Sequence, residues 1–264
     1  MRPKIYLLGD SITEDSFEDG GWGASLANHF SRTGDLDSGF DWLYEIFGTL
    51  CYLFDVQVDV VLRGYSGYNT RWVLKVLDKV FHAVEGGDGF EPLAVTVFFG
   101  ANDACLPDRC SAFQHVPLEE YKRNLLSVIS SLKKRWSKTQ IILITPPPID
   151  EETRLRFPFI ENPLGLPERT NEAAGAYAKA CIAVAKECGI PVVDLWTRMQ
   201  QVPDWQNACL RDGLHLSRGG NRIVFEEVVM KLKDEGLSLE VLPVDLPLLA
   251  NIDPSDPLKA FQQY

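Results

Sequence analysis

The chain has 264 residues, enough for one large hydrophobic core. Hydrophobic residues make up 45% and charged residues 24%, and the longest apolar patch, Leu50 to Phe54, falls far short of a membrane span. A formal net charge of -11 argues against nucleic acid as a partner, because its phosphates would be repelled.

The apolar run from Ile5 to Leu8 reads as a short buried strand that Gly9 ends. Gly9-Asp10-Ser11-Ile12-Thr13 follows, so Ser11 lies at a strand's C-terminal end. Open α/β sheets place ligands there, and nearby backbone N–H groups can hold an oxyanion. The plainer alternative is that Ser11 only caps a helix or turn. Gly20 to Arg32 carries Trp22, Leu26, His29 and Phe30 at helical spacing. Residues 34–57 fit neither the helical nor the strand period and are expected outside the α/β core as an insertion.

Val58 to Leu62 resumes a strand and runs into Arg63-Gly64-Tyr65-Ser66-Gly67-Tyr68-Asn69-Thr70. Thr70 is expected to cap a helix carrying Trp72, Val73, Val76, Leu77 and Val80. Leu93 to Phe99 is a central parallel strand that delivers Gly100-Ala101-Asn102-Asp103. Pro117 starts a helix through about Trp136, and Ile141 to Ile144 is a strand that Pro146-Pro147-Pro148 must end. Asp150 to Glu168 is a long loop of the kind that binds ligands. The basic residues near the crevice, Arg63, Arg71, Arg154 and Arg156, could bind a carboxylate or phosphate, although a solvated face suits most of them better. Glu168 to Cys188 is an alanine-rich helix that stops before Gly189, and Ile190 to Leu195 is a fifth strand. A polar loop from Asp212 to Gly220 precedes a last helix, Asn221 to Lys233. The proline-bearing tail, 241–264, is expected to wrap the surface of a single domain, 1–240.

Alternating strands and helices predict an α/β fold, a doubly wound and mainly five-stranded parallel sheet. In such a sheet the ends at Ser11, Gly64 and Asn102 point to one edge. His215 is the best base there, and Asp212, three residues earlier, can reach its far ring nitrogen. Taken alone, the pair also fits a local salt bridge. Asn102 offers a side-chain N–H₂ and Gly64 an uncrowded backbone N–H. With the Ser11 N–H they make three oxyanion donors. Asp10 and Asp103 suit loop-holding, because an acid beside an oxyanion opposes its charge. Asn69 and His115 are supporting or entrance-lining candidates, and His29 and His82 packing or surface residues. No cysteine or histidine spacing supports a metal site, and Cys51, Cys105, Cys110, Cys181, Cys188 and Cys209 read mostly as free thiols. No cofactor is expected. The first strand begins too early for a secretion segment, so a cytoplasmic protein is expected.

These residues resemble the blocks of the SGNH hydrolases, also called GDSL lipases and esterases. Gly9-Asp10-Ser11-Ile12 is similar to the first block, Gly64 to the second, Gly100-Ala101-Asn102-Asp103 to the third and Asp212-Gly213-Leu214-His215 to the fifth. Within that family, Asp19-Gly20-Gly21-Trp22-Gly23 and the stretch from Arg63 to Trp72 look closest to the isoamyl acetate-hydrolysing branch in its plant-like form. The resemblance implies a three-layer α/β/α fold and metal-free hydrolysis of small to medium acyl esters. It also implies Ser11, Asp212 and His215 as triad, with Ser11, Gly64 and Asn102 as oxyanion hole. Water is the second reactant. A carbohydrate acetyl esterase or an acyltransferase would use the same triad. A non-catalytic binding protein follows if the insertion distorts the crevice.

Overall fold

The computed structural model describes residues 2–31, 58–81, 91–158, 160–239, 241–242, 246–247 and 252–262. The expected insertion at 34–57, His82 and Cys51 lie outside the described residues. Five parallel strands form the sheet: β1 (Lys4–Gly9), β2 (Asp59–Gly64), β3 (Ala94–Phe98), β4 (Gln140–Ile144) and β5 (Val192–Val193). Their spatial order is β2-β1-β3-β4-β5. The chain winds outward from β1 in one direction and from β3 in the other, so the crevice between their C-terminal ends is the topological switch point.

Side-chain alternation on β1 assigns the two faces. Ile5 and Leu7 point into one apolar layer with Trp22, Leu26, Ile142 and Val228. Tyr6 and Leu8 point into the other with Val73, Leu77, Leu125 and Val184. The first layer is closed by helices α2 (Trp22–His29) and α9 (Arg218–Asp234), the second by α3 (Thr70–Val80), α4 (Leu118–Arg135) and α6 (Asn171–Cys188). This is a three-layer α/β/α sandwich. Each fully buried Leu, Ile or Phe stabilises it by about 1.5–3 kcal/mol.

Four short α-helices complete the described α-helices. They are α1 (Ser11–Glu14), α5 (Glu151–Arg156), α7 (Leu195–Gln200) and α8 (Trp205–Cys209). Two correct the sequence reading. Residues 150–168 are not loop throughout, because α5 forms at their start. The fifth strand is two residues rather than six, because the Asp194 side chain accepts from the Thr197 N–H at 3.1 Å and starts α7 there. On the other side, the N–H of Val58 donates to the carbonyl of Phe30 at 3.2 Å. The chain therefore leaves α2 and enters β2 at adjacent points. None of the described helices is long and apolar enough to cross a membrane. Cys105, Cys110, Cys181, Cys188 and Cys209 are free thiols. In the tail Leu242 packs against the first apolar layer, whereas Leu258 and Phe261 are exposed.

Candidate active site

Ser11 is the first residue of α1, which starts directly where β1 ends. The expected helix at Trp22 is thus preceded by a shorter one. Asp10 is its cap, and its carboxylate accepts from the Ile12 N–H at 3.0 Å while its carbonyl accepts from Thr13 and Glu14. The Ser11 N–H stays without an intrahelical acceptor. Gly64 ends β2 beside this turn. A Cβ on Gly64 would lie 2.1 Å from the Glu14 nitrogen, so only glycine lets the two backbones approach.

A further contribution comes from the turn between α8 and α9. Leu210 and Leu216 pair across it as an antiparallel bridge. One Asp212 oxygen accepts from the N–H groups of Leu214 and His215 at 3.1 and 2.7 Å, forming a closed side-chain turn. The other accepts from His215 Nδ1 at 2.8 Å. With Nδ1–H donating to Asp212, Nε2 is the acceptor, and Ser11 Oγ lies 3.0 Å from it. The structure thus brings together Ser11, His215 and Asp212 in hydrogen-bond sequence across more than 200 residues.

Burial opposes ionisation of Asp212. The hydrogen bonds and charge of His215, joined by the nearby Arg154 cation, outweigh it and hold the carboxyl well below its ordinary range. Asp10 and Asp103 behave oppositely, since burial pushes each up to about 7.

Asn102 is buried beyond β3, and its amide is held at both ends. Nδ2 donates to the Tyr68 carbonyl at 2.8 Å. Oδ1 accepts from Arg169 at 3.0 Å and from Gln114 at 3.2 Å. An amide nitrogen carries two hydrogens, so one N–H is left over to donate. Asp103 accepts from the Thr70 N–H at 3.0 Å and holds the start of α3. Asn69 does not line the crevice: it is fully buried, caps α3 by accepting from the Trp72 N–H at 2.9 Å, and donates to the Gln114 carbonyl. His115 hydrogen-bonds the Cys105 carbonyl through Nδ1 at 2.6 Å and is not bonded to the triad.

Arg154 requires a correction. It is 4% exposed rather than solvated, and donates to Asp212 at 3.0 Å and to Glu168 at 2.8 Å. Glu168 also accepts from Arg169. Sequence reading missed Glu168, Arg169 and Gln114 as site residues, because none lies in a motif and charged residues score as surface. Arg71, in contrast, pairs with Glu120 in a half-exposed bridge, and Arg156 is exposed. Arg63 donates to the Leu62 and Val80 carbonyls and lies over the Tyr6 ring.

Comparison with known proteins gives the family and the fold. Residues 5–228 match the family model described as GDSL-like Lipase/Acylhydrolase. A GDSL esterase/lipase of Arabidopsis thaliana is 62% identical over 264 residues, covering all of both chains. The isoamyl acetate-hydrolyzing esterase 1 homolog of Homo sapiens is 40% identical over 92% of this chain and 86% of its own. Among solved structures, a lipase/acylhydrolase from Enterococcus faecalis superposes with a TM-score of 0.62 at 26% identity, over 89% of this chain and 97% of that one.

Proposed function

The chain belongs to the GDSL-like lipase/acylhydrolase family of ester hydrolases, and from that premise we propose that it is a serine esterase for short-acyl esters on the isoamyl acetate-hydrolysing branch. The observation that carries the mechanism is the chain of contacts Ser11–His215–Asp212, at 3.0 and 2.8 Å. Ser11 Oγ attacks the ester carbonyl while His215 Nε2 takes its proton. The oxyanion is met by the N–H groups of Ser11 and Gly64 and the spare N–H of Asn102. His215 then protonates the departing alcohol, leaving an acyl group on Ser11. A water attacks that acyl group, giving its proton to His215, and the carboxylic acid leaves as Ser11 is restored. Asp212 holds the tautomer this needs and stabilises the imidazolium.

The short-acyl preference is supported by the likeness to the isoamyl acetate-hydrolyzing esterase homolog. A cleft of about 330 Å³ beside His215 is lined by Ile12 and Leu216 together with the charged Asp15, Glu18, Asp19, Arg211 and Arg218, whereas Ser11, Gly64 and Asn102 are not part of its lining. Initial rates on p-nitrophenyl acetate, butyrate, octanoate and palmitate, with acetylated xylo-oligosaccharide alongside, test the preference. The expected result is kcat/KM highest for acetate or butyrate and lower by about tenfold or more for octanoate and palmitate. Highest activity on palmitate, or on the acetylated sugar, would reject it. We also assign the protein to a reducing, cytoplasmic setting, a reading that the five free thiols among the described residues support.

A further inference from the structure

Between the base and the oxyanion hole runs an unbroken chain of buried charges. Arg154 donates to Asp212 Oδ2, the same oxygen that accepts from His215, at 3.0 Å. Its Nε donates to Glu168 Oε1 at 2.8 Å, and Arg169 donates to that same Glu168 oxygen. Arg169 reaches onward to Asn102 Oδ1 and Gln114 Oε1, both at 3.0 Å, and to the Ala101 carbonyl at 2.9 Å. The side chains of Arg154, Glu168 and Arg169 are 4%, 2% and 3% exposed. We propose that Arg154, Glu168 and Arg169 form a positioning relay that ties the Asp212 carboxylate to the Asn102 amide, holding the carboxylate that orients His215 at one end and the oxyanion donor at the other.

Three features support a positioning role beyond simple packing. Isolated buried charges are costly, so a run alternating in sign is stable only when each member keeps its partner. The relay is also anchored on backbone. Asp150 N–H donates to the Gly213 carbonyl at 3.0 Å, and a Cβ on Gly213 would lie 2.6 Å from the Arg154 nitrogen. The triad loop and α5 therefore move as one piece. Finally, each end of the relay acts on the group that chemistry needs fixed. Two donors on Asn102 Oδ1 decide which way its amide faces, so Nδ2 points to the donor side.

At the other end, Arg154 and His215 share one carboxylate oxygen, Asp212 Oδ2. Removing Arg154 leaves that oxygen with the His215 ring alone, so the carboxylate is less firmly held and the ring is less firmly aligned with Ser11 Oγ. A ring out of line takes the Ser11 proton more slowly, so kcat falls while KM changes little.

This inference rests on the triad reading above, which a Ser11→Ala control tests separately. The experiment measures kcat and KM on p-nitrophenyl butyrate, with folding checked by circular dichroism. In Arg154→Gln kcat should fall by about tenfold with KM nearly unchanged. Arg154→Lys, which keeps the charge, should bring most of it back. If Arg154→Gln does not fold, the charge-balanced pair Arg154→Met with Glu168→Gln is read instead, with a loss in kcat in the same direction. Arg169→Met should lower kcat by about tenfold with KM nearly unchanged, and should add nothing in an Asn102→Ala background. An unchanged kcat in a folded Arg154 variant, or Arg169 and Asn102 losses that multiply, would overturn the relay. Wild-type hydrolysis that Ser11→Ala retains would instead overturn the triad reading.

Discussion

Ser11→Ala should lower kcat for p-nitrophenyl butyrate by about 10⁶ while the protein keeps its fold. Removing Oγ removes the atom that forms the acyl-enzyme, and among the described residues no other hydroxyl bonds Nε2 of His215. Stability should change little. Ser11 is half-buried at the crevice, and water can take over the hydrogen bond to His215. The cost is then within about 1 kcal/mol, the net worth of one ordinary hydrogen bond. Turnover and the melting temperature on the same preparation check both halves. A variant with wild-type turnover would remove Ser11 from the mechanism.

Asn102→Ala should lower kcat by about 10²–10³ with little change in KM, the loss expected for one oxyanion donor. It should also lower the melting temperature. Arg169, Gln114 and the Tyr68 carbonyl each lose a partner, and a buried group left unpaired costs about 1–3 kcal/mol. Melting alone therefore does not separate a catalytic from a structural Asn102. The separation lies in kcat, measured well below the transition of either protein. Unchanged turnover with a lowered melting temperature would leave Asn102 a structural clamp.

Much of this architecture was legible because it rests on local patterns. The strand β1 is an uninterrupted apolar run, and β3 is apolar apart from Thr96, as buried parallel strands are. Gly9 and Gly64 mark the turns that follow strands. Asp212 and His215 are three residues apart, so one turn is enough to bring carboxylate and ring together. The less legible parts depend on contacts between distant segments. Arg154 meets Asp212 across 58 positions, and Arg169 meets Asn102 across 67. In hydropathy terms both arginines look solvated. Only the fold reveals the carboxylates and carbonyls that make their burial tolerable. The helix α5 escaped because six residues give too few turns to show a period. The fifth strand was read too long because the apolar run from Ile190 to Leu195 hides a capping residue, Asp194, near its end.

Everything in the mechanism depends on Ser11 being the nucleophile that His215 activates. Covalent labelling by a fluorophosphonate, followed by digestion and mass spectrometry, addresses this without a substrate. The reagent phosphonylates an activated serine and expels fluoride, so it reports the chemistry directly. A single adduct is expected on the peptide containing Ser11, absent in Ser11→Ala and formed far more slowly in His215→Ala. An adduct on another residue, or no adduct on the folded wild-type protein, would contradict it.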